Sequence, residues 1–245
     1  MTVENYKEFQ AKLTKVVQPF ILSSIENDRQ AFRELIKSTL ENSKENRYLP
    51  EFTRRDEVFA SRLFLGFDEF VTSLLCMKDV EIYIKRFPYR DTGVSNLRYL
   101  KYHIESHLNE IYLFQERVKA FLNFIQKRYQ KSPIAAEIKL MVQKILALIK
   151  ASLQNIILVR GTHVHSRRFT NDDFDRLTFL ENMKKAEAET FGSLYEFEYK
   201  QARKKWAKTI QTNNLAMEQL LNTICKELCA VLFDENDQII FPDIR

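Results

Sequence analysis

From Ser95 to Tyr129 the chain repeats an apolar stripe at alternating intervals of four and three. Its members are Leu100, Ile104, His107, Ile111, Phe114, Val118, Phe121 and Ile125. These intervals fit the pitch of an α-helix, whereas a strand would alternate every second residue. Leu97, Leu108 and Leu122 broaden the stripe, which suits burial inside a bundle better than the narrow seam of a coiled coil. The segment from Arg54 to Arg86 repeats the pattern with Phe59, Leu63, Phe67, Phe70 and Leu74. A third stripe follows Pro133, through Ile138, Met141, Ile145, Leu148, Ser152, Ile156 and Val159.

Only 4 glycines and 5 prolines occur in 245 residues, too few for the closely spaced turns of an all-β sandwich. With 45% apolar residues, including 19 Phe and 10 Tyr, a sizeable core is available. The expected fold is an all-α bundle of long up-and-down helices. Residues 1–94 supply additional N-terminal helices packed on a bundle formed by 95–245, as one continuous domain. Pro19, Pro50, Pro88, Pro133 and Pro242 read as punctuation, with Pro19 separating helices over 3–17 and 20–42. The helix after Pro133 is expected to end at Arg160, with Gly161 as its C′ residue. Thr170-Asn171-Asp172-Asp173 reads as an N-cap region, opening a last helical segment that reaches Phe233 with a break near Gly192.

The net charge of +5 admits an anionic partner without requiring one. Three cysteines, Cys76, Cys225 and Cys229, are too few and odd for a disulfide framework and fit a reducing cytoplasm. Cys225 and Cys229 read as core thiols. The charged N-terminus lacks a signal segment, and no run approaches the ~20 apolar residues of a membrane span. A cytoplasmic protein with no membrane association is expected.

The polar stretch Arg160-Gly161-Thr162-His163-Val164-His165 directly follows an apolar helix. A guanidinium holds two phosphate oxygens at once, and an imidazole moves a proton near neutral pH. The plainer alternative is capping, with Arg160 on the last helix carbonyls and a histidine in the following turn. Arg167 and Arg168 extend the basic patch and suit flanking phosphates. Lys200, Arg203, Lys204, Lys205 and Lys208 surround Trp206, a set that suits an RNA-tracking face or, more plainly, a helix exterior with one buried aromatic. His163 and His165 would need further ligands to hold a metal, and His103 and His107 are distant in sequence. No metal and no cofactor are expected, and His107, inside the stripe, reads as a hydrogen-bonded core or interface residue.

An arginine, four residues and then a histidine, Arg160 to His165, beside long apolar helices resembles the HEPN superfamily. Tyr102-His103-Ile104-Glu105-Ser106-His107-Leu108 is similar to the first core helix of some of its members. The resemblance covers residues 95–233. It implies a homodimer whose two motifs face one another and a metal-independent endoribonuclease acting on RNA. Arg160 would bind the scissile phosphate and His165 would transfer protons, supported by Thr162 and His163. The biological roles it implies are a toxin or antiviral effector, paired with a nucleotidyltransferase-like antitoxin. Gly161 departs from the polar residue that many active members place after the arginine. A catalytically silent dimeric scaffold, or a nucleotide- or RNA-binding module, is therefore the alternative.

Overall fold

A computed structural model describes residues 6–27, 55–86, 93–165 and 171–242, and for 22–27, 155, 157–165 and 188 the backbone alone. Among the described residues the chain is all-α. Its helices are α1 (Tyr6–Asn27), α2 (Arg55–Lys85), α3 (Asn96–Arg128), α4 (Ala135–His165), α5 (Asp172–Ala186) and α6 (Ala188–Leu232). Pro50 and Pro88 lie outside the described residues. All eight members of the Leu100–Ile125 stripe are buried, as are Phe59, Leu63, Phe67, Phe70 and Leu74 of α2.

Three boundaries differ from the sequence expectation. Pro19 does not divide two helices but lies inside α1. The buried positions Tyr6, Phe9, Leu13 and Val17 hold one side of α1 in the core, while Pro19 and Lys15 face water. A carbonyl deprived of its proline partner on that side is solvated, so the helix continues. The break expected near Gly192 falls at Glu187, whose non-helical backbone (φ −145°, ψ 85°) ends α5. Leu180 before it and Tyr195 after it are both buried, so core anchoring places the break. Finally, α4 does not stop at Arg160 and runs to His165, so Gly161 is inside the helix rather than its C′ residue. The stripe along α4 also drifts from the expected one. Ile149 and Leu153 are buried where Leu148 and Ser152 were expected, because a straight helix of 3.6 residues per turn falls out of step with a 3.5 repeat.

The chain forms two compact units interleaved in sequence. The first comprises 1–68, 120–143 and 222–245; the second comprises 69–119 and 144–221. In the first, Phe9 packs edge-on against Phe67 (4.9 Å) and Phe233 (6.0 Å), and Phe59 meets Phe124, Tyr129 and Phe241. The tail after α6 folds back through a bridge between Phe233 and Ile239. The hydroxyl of Tyr129 donates to the Ile240 carbonyl at 2.5 Å. The backbone N–H of Tyr6 donates to Asn222 Oδ1 at 2.9 Å, tying α1 to α6. Cys225 and Cys229 are core thiols, and burial pushes the Cys225 thiol pKa up.

The second unit is built on Val80, Ile84, Leu97, Leu100, Ile104, Leu108, Phe174, Leu177, Leu180, Tyr195, Tyr199, Ala202 and Ile210, with Ile156 of α4 packed against it. The N-cap of α5 is Asn171, whose Oδ1 accepts from the Phe174 N–H at 3.0 Å. Phe174 in turn stacks on the half-buried Trp206 (5.9 Å, 18°), so this basic segment of α6 is a helix exterior around one aromatic anchor.

Candidate functional site

Arg160, Thr162, His163 and His165 lie in the last turns of α4, and Arg167 and Arg168 lie outside the described residues. Helix periodicity decides which of the four share a face. Residues three and four apart are neighbours, so Arg160 shares its face with His163 and Val164. His165, five positions on, sits about 140° round the axis. Ile156 precedes Arg160 by one turn on the same face and packs on the cluster containing Leu97, Leu100 and Ile104. The end of α4 therefore continues from an anchored turn.

A second group of polar and aromatic side chains is assembled where α2 ends and α3 begins. The last carbonyls of α2 have no helical partner and need donors from elsewhere. The Tyr99 hydroxyl lies 3.0 Å from the Tyr83 carbonyl oxygen and 3.2 Å from that of Arg86. Arg203 of α6 donates through Nε to the Ile84 carbonyl at 2.8 Å and through Nη2 to that of Lys85. Burial raises the Tyr99 phenol above its ordinary pKa, keeping it a donor.

This arrangement gathers aromatic rings around His103. Its ring lies 4.3 Å from Tyr99, 5.3 Å from Tyr102 and 5.3 Å from Tyr83. Burial lowers the His103 pKa below that of an ordinary histidine, so the neutral imidazole is favoured. Beside it opens a cleft of about 510 Å³ lined by Val94, Arg98, Tyr99, Lys101, Tyr102, His103 and Glu105. Arg98, Lys101, Tyr102 and Glu105 recur at three and four along the flank of α3 beside its buried Leu97, Leu100 and Ile104. Sequence reasoning missed Tyr83, Arg98 and Lys101, since a polar helix face with scattered tyrosines reads as ordinary exterior.

One turn after His103, His107 faces the interior and is 1% exposed. Among the described residues neither ring nitrogen has a hydrogen-bond partner, so the hydrogen bond expected there is not made. Burial pulls its pKa down to about 4, opposed by the nearby Glu81 carboxylate. Glu81 instead accepts from Asn214 Nδ2 (3.1 Å) and pairs with Lys85 (2.5 Å). Burial pushes the Glu81 pKa up, but the hydrogen bonds from Lys85 and Asn214 outweigh this and leave it lowered. Asn214 also donates to the Met77 carbonyl at 3.2 Å. Among the described residues no group of three or more His, Cys, Asp or Glu side chains is placed to hold a metal ion. No described helix is long and apolar enough to cross a membrane.

The fold is an all-α helical bundle bearing a polar motif at one helix end and an aromatic, basic cleft at another. Compared with family models, curated proteins and solved structures, the chain matches none.

Proposed function

We propose that the protein is a HEPN-like, metal-independent endoribonuclease that acts as a homodimer. The observation supporting this most directly is that Arg160 and His165 belong to one helix, anchored a turn earlier by Ile156 in the core. Catalysis at a phosphate needs groups held in fixed relation, which a helix supplies better than a loop. Because the two positions are about 140° apart round the axis, one chain does not present both to the same point. A two-fold pairing of α4 ends lets Arg160 of one copy work with His165 of the other.

In this reading the His165 imidazole takes the proton of a ribose 2′-hydroxyl, and that oxygen attacks the adjacent phosphorus. The bond from phosphorus to the 5′-oxygen breaks, and a protonated imidazole returns a proton to that oxygen. The products are a 2′,3′-cyclic phosphate and a 5′-hydroxyl. Arg160 offsets the charge gathered on the phosphate oxygens in the transition state. His163, three residues after Arg160, and Thr162 support the site, with Arg167 and Arg168 on flanking phosphates. Toxin or antiviral action and a nucleotidyltransferase-like antitoxin are the roles this reading carries.

The test is incubation of purified protein with single-stranded RNA and DNA in excess EDTA. RNA cut to cyclic phosphate ends, DNA left intact and loss of cutting in Arg160→Ala and His165→Ala support the reading. Intact RNA with a persistent dimer overturns it in favour of the silent scaffold.

A further inference from the structure

We infer that the cleft at the start of α3 is a binding site for a nucleoside monophosphate unit, its base stacked on Tyr102 and its phosphate held by Arg98 and Lys101. Tyr102 is 65% exposed and Tyr83 47%, and each ring lies 5.3 Å from that of His103. Exposed aromatic faces flanked by cations are the elements that bind a nucleobase and its phosphate. The cleft, at about 510 Å³, lies within the range of small-molecule sites, which also takes in a single nucleotide.

The charges are arranged along the helix in a consistent order. Arg98 comes first, then Lys101 and Tyr102, and then Glu105, spanning two turns of one face. An anion at the Arg98 end places the attached base over Tyr102, with its edge toward Glu105. A carboxylate accepts hydrogen bonds from an amino-bearing base edge, so guanine, adenine or cytosine is favoured over uracil. Neutral His103 adds one donor and one acceptor in the wall. The Lys101 Nζ lies 5.9 Å from the ring of Phe174 on α5. Tyr99, part of the cleft wall, and Arg203 both bond to carbonyls at the end of α2, which holds the Tyr83 backbone beside the cleft. The inference does not rest on cleavage at Arg160 and His165.

The experiment is equilibrium binding to the full chain, with ligands that no ribonuclease can cut. Guanosine 5′-monophosphate, uridine 5′-monophosphate, ribose 5-phosphate and a 2′-O-methylated hexanucleotide are titrated by calorimetry. The expected result is saturable binding of guanosine monophosphate, weaker binding of uridine monophosphate, and weakest binding of ribose 5-phosphate. Tyr102→Ala and Arg98→Ala should each weaken it about tenfold. Lys139→Ala, an exposed lysine elsewhere on α4, should leave it unchanged. Binding of the hexanucleotide alone, lost in Tyr102→Ala, assigns the site to a strand rather than a free nucleotide. Nucleotides that bind no better than ribose 5-phosphate, or equal binding by the Tyr102→Ala protein, overturn the inference. So does the absence of saturable binding by either nucleotide form. Because these ligands are uncleavable, failure here leaves the RNA cleavage assay as an independent result.

Discussion

Arg203 of α6 donates to the backbone carbonyl of Ile84, 119 positions earlier in the chain. Its second donor reaches the Lys85 carbonyl, so one guanidinium closes the C-terminal turn of α2. A hydrogen bond from a charged donor contributes about 2 kcal/mol when its acceptor is otherwise unpaired. Arg203→Ala should therefore lower the melting temperature by roughly 4–8 °C. Arg203→Lys, with a point charge in place of a fork, should recover only part of it. An unchanged melting temperature in Arg203→Ala would remove the cap.

The buried His107 predicts a defined pH window. Its folded-state pKa, about 4, lies below the ordinary value of 6.5, so the unfolded chain binds the proton first. Stability is then complete above pH 6.5 and is lost as pH falls from 6.5 toward 4, by up to about 3 kcal/mol. Glu81, also lowered, loses its contribution only below its ordinary 4.5, which separates the two groups. His107→Leu should flatten the window between pH 6.5 and 4.5, read by urea midpoints across pH. It should cost little at pH 7, since neither imidazole nitrogen is hydrogen-bonded.

Two glycines predict opposite responses to alanine. A Cβ on Gly66 would meet the ring of Phe121 at 2.9 Å, and that ring is buried. Overpacking of about 1–3 kcal/mol exceeds the helix-propensity gain of about 1 kcal/mol, so Gly66→Ala should destabilise. Gly161 lies inside α4, and Gly161→Ala should stabilise the helix end by about 0.5–1 kcal/mol. Amide exchange over residues 157–165 reads this directly. Faster exchange in Gly161→Ala would restore the C′ reading.

For cleavage, Arg160→Ala and His165→Ala should each remove nearly all activity, since groups acting as a unit fail together. His163→Ala, on the face of Arg160, should reduce activity less. Mixing Arg160→Ala with His165→Ala chains should regain part of it, because the mixed dimer holds one intact composite site. No regain in the mixture, with mixed dimers shown by mass, would rule out pairing across the two-fold.

How much of this was legible follows from what each residue does. Leu100 through Ile125 declared a helix because every member is buried, and the N-cap at Asn171 declared itself by residue type. Pro19 and Gly161 misled because breakers act only where the fold lets them, and here core contacts or continued helix geometry prevail. His107 was rightly placed inside, but its missing partner depends on side chains from α2 and α6 that spacing does not reveal. The cleft was hidden for a different reason: its lining residues all fall between Val94 and Glu105, on a polar helix face that reads as ordinary exterior.

The tail contact of Tyr129 with Ile240 has a consequence for the order in which the chain is made. The first unit holds α1, yet its core also needs Leu228, Leu232 and Phe233. On the ribosome, α1 emerges early and waits for nearly the whole chain before Asn222 and Phe233 reach it. The second unit, complete by residue 221, has all its residues available first. Chains ending at residue 221 and released from the ribosome should therefore protect Leu100 and Tyr195 from proteolysis while leaving Phe9 accessible.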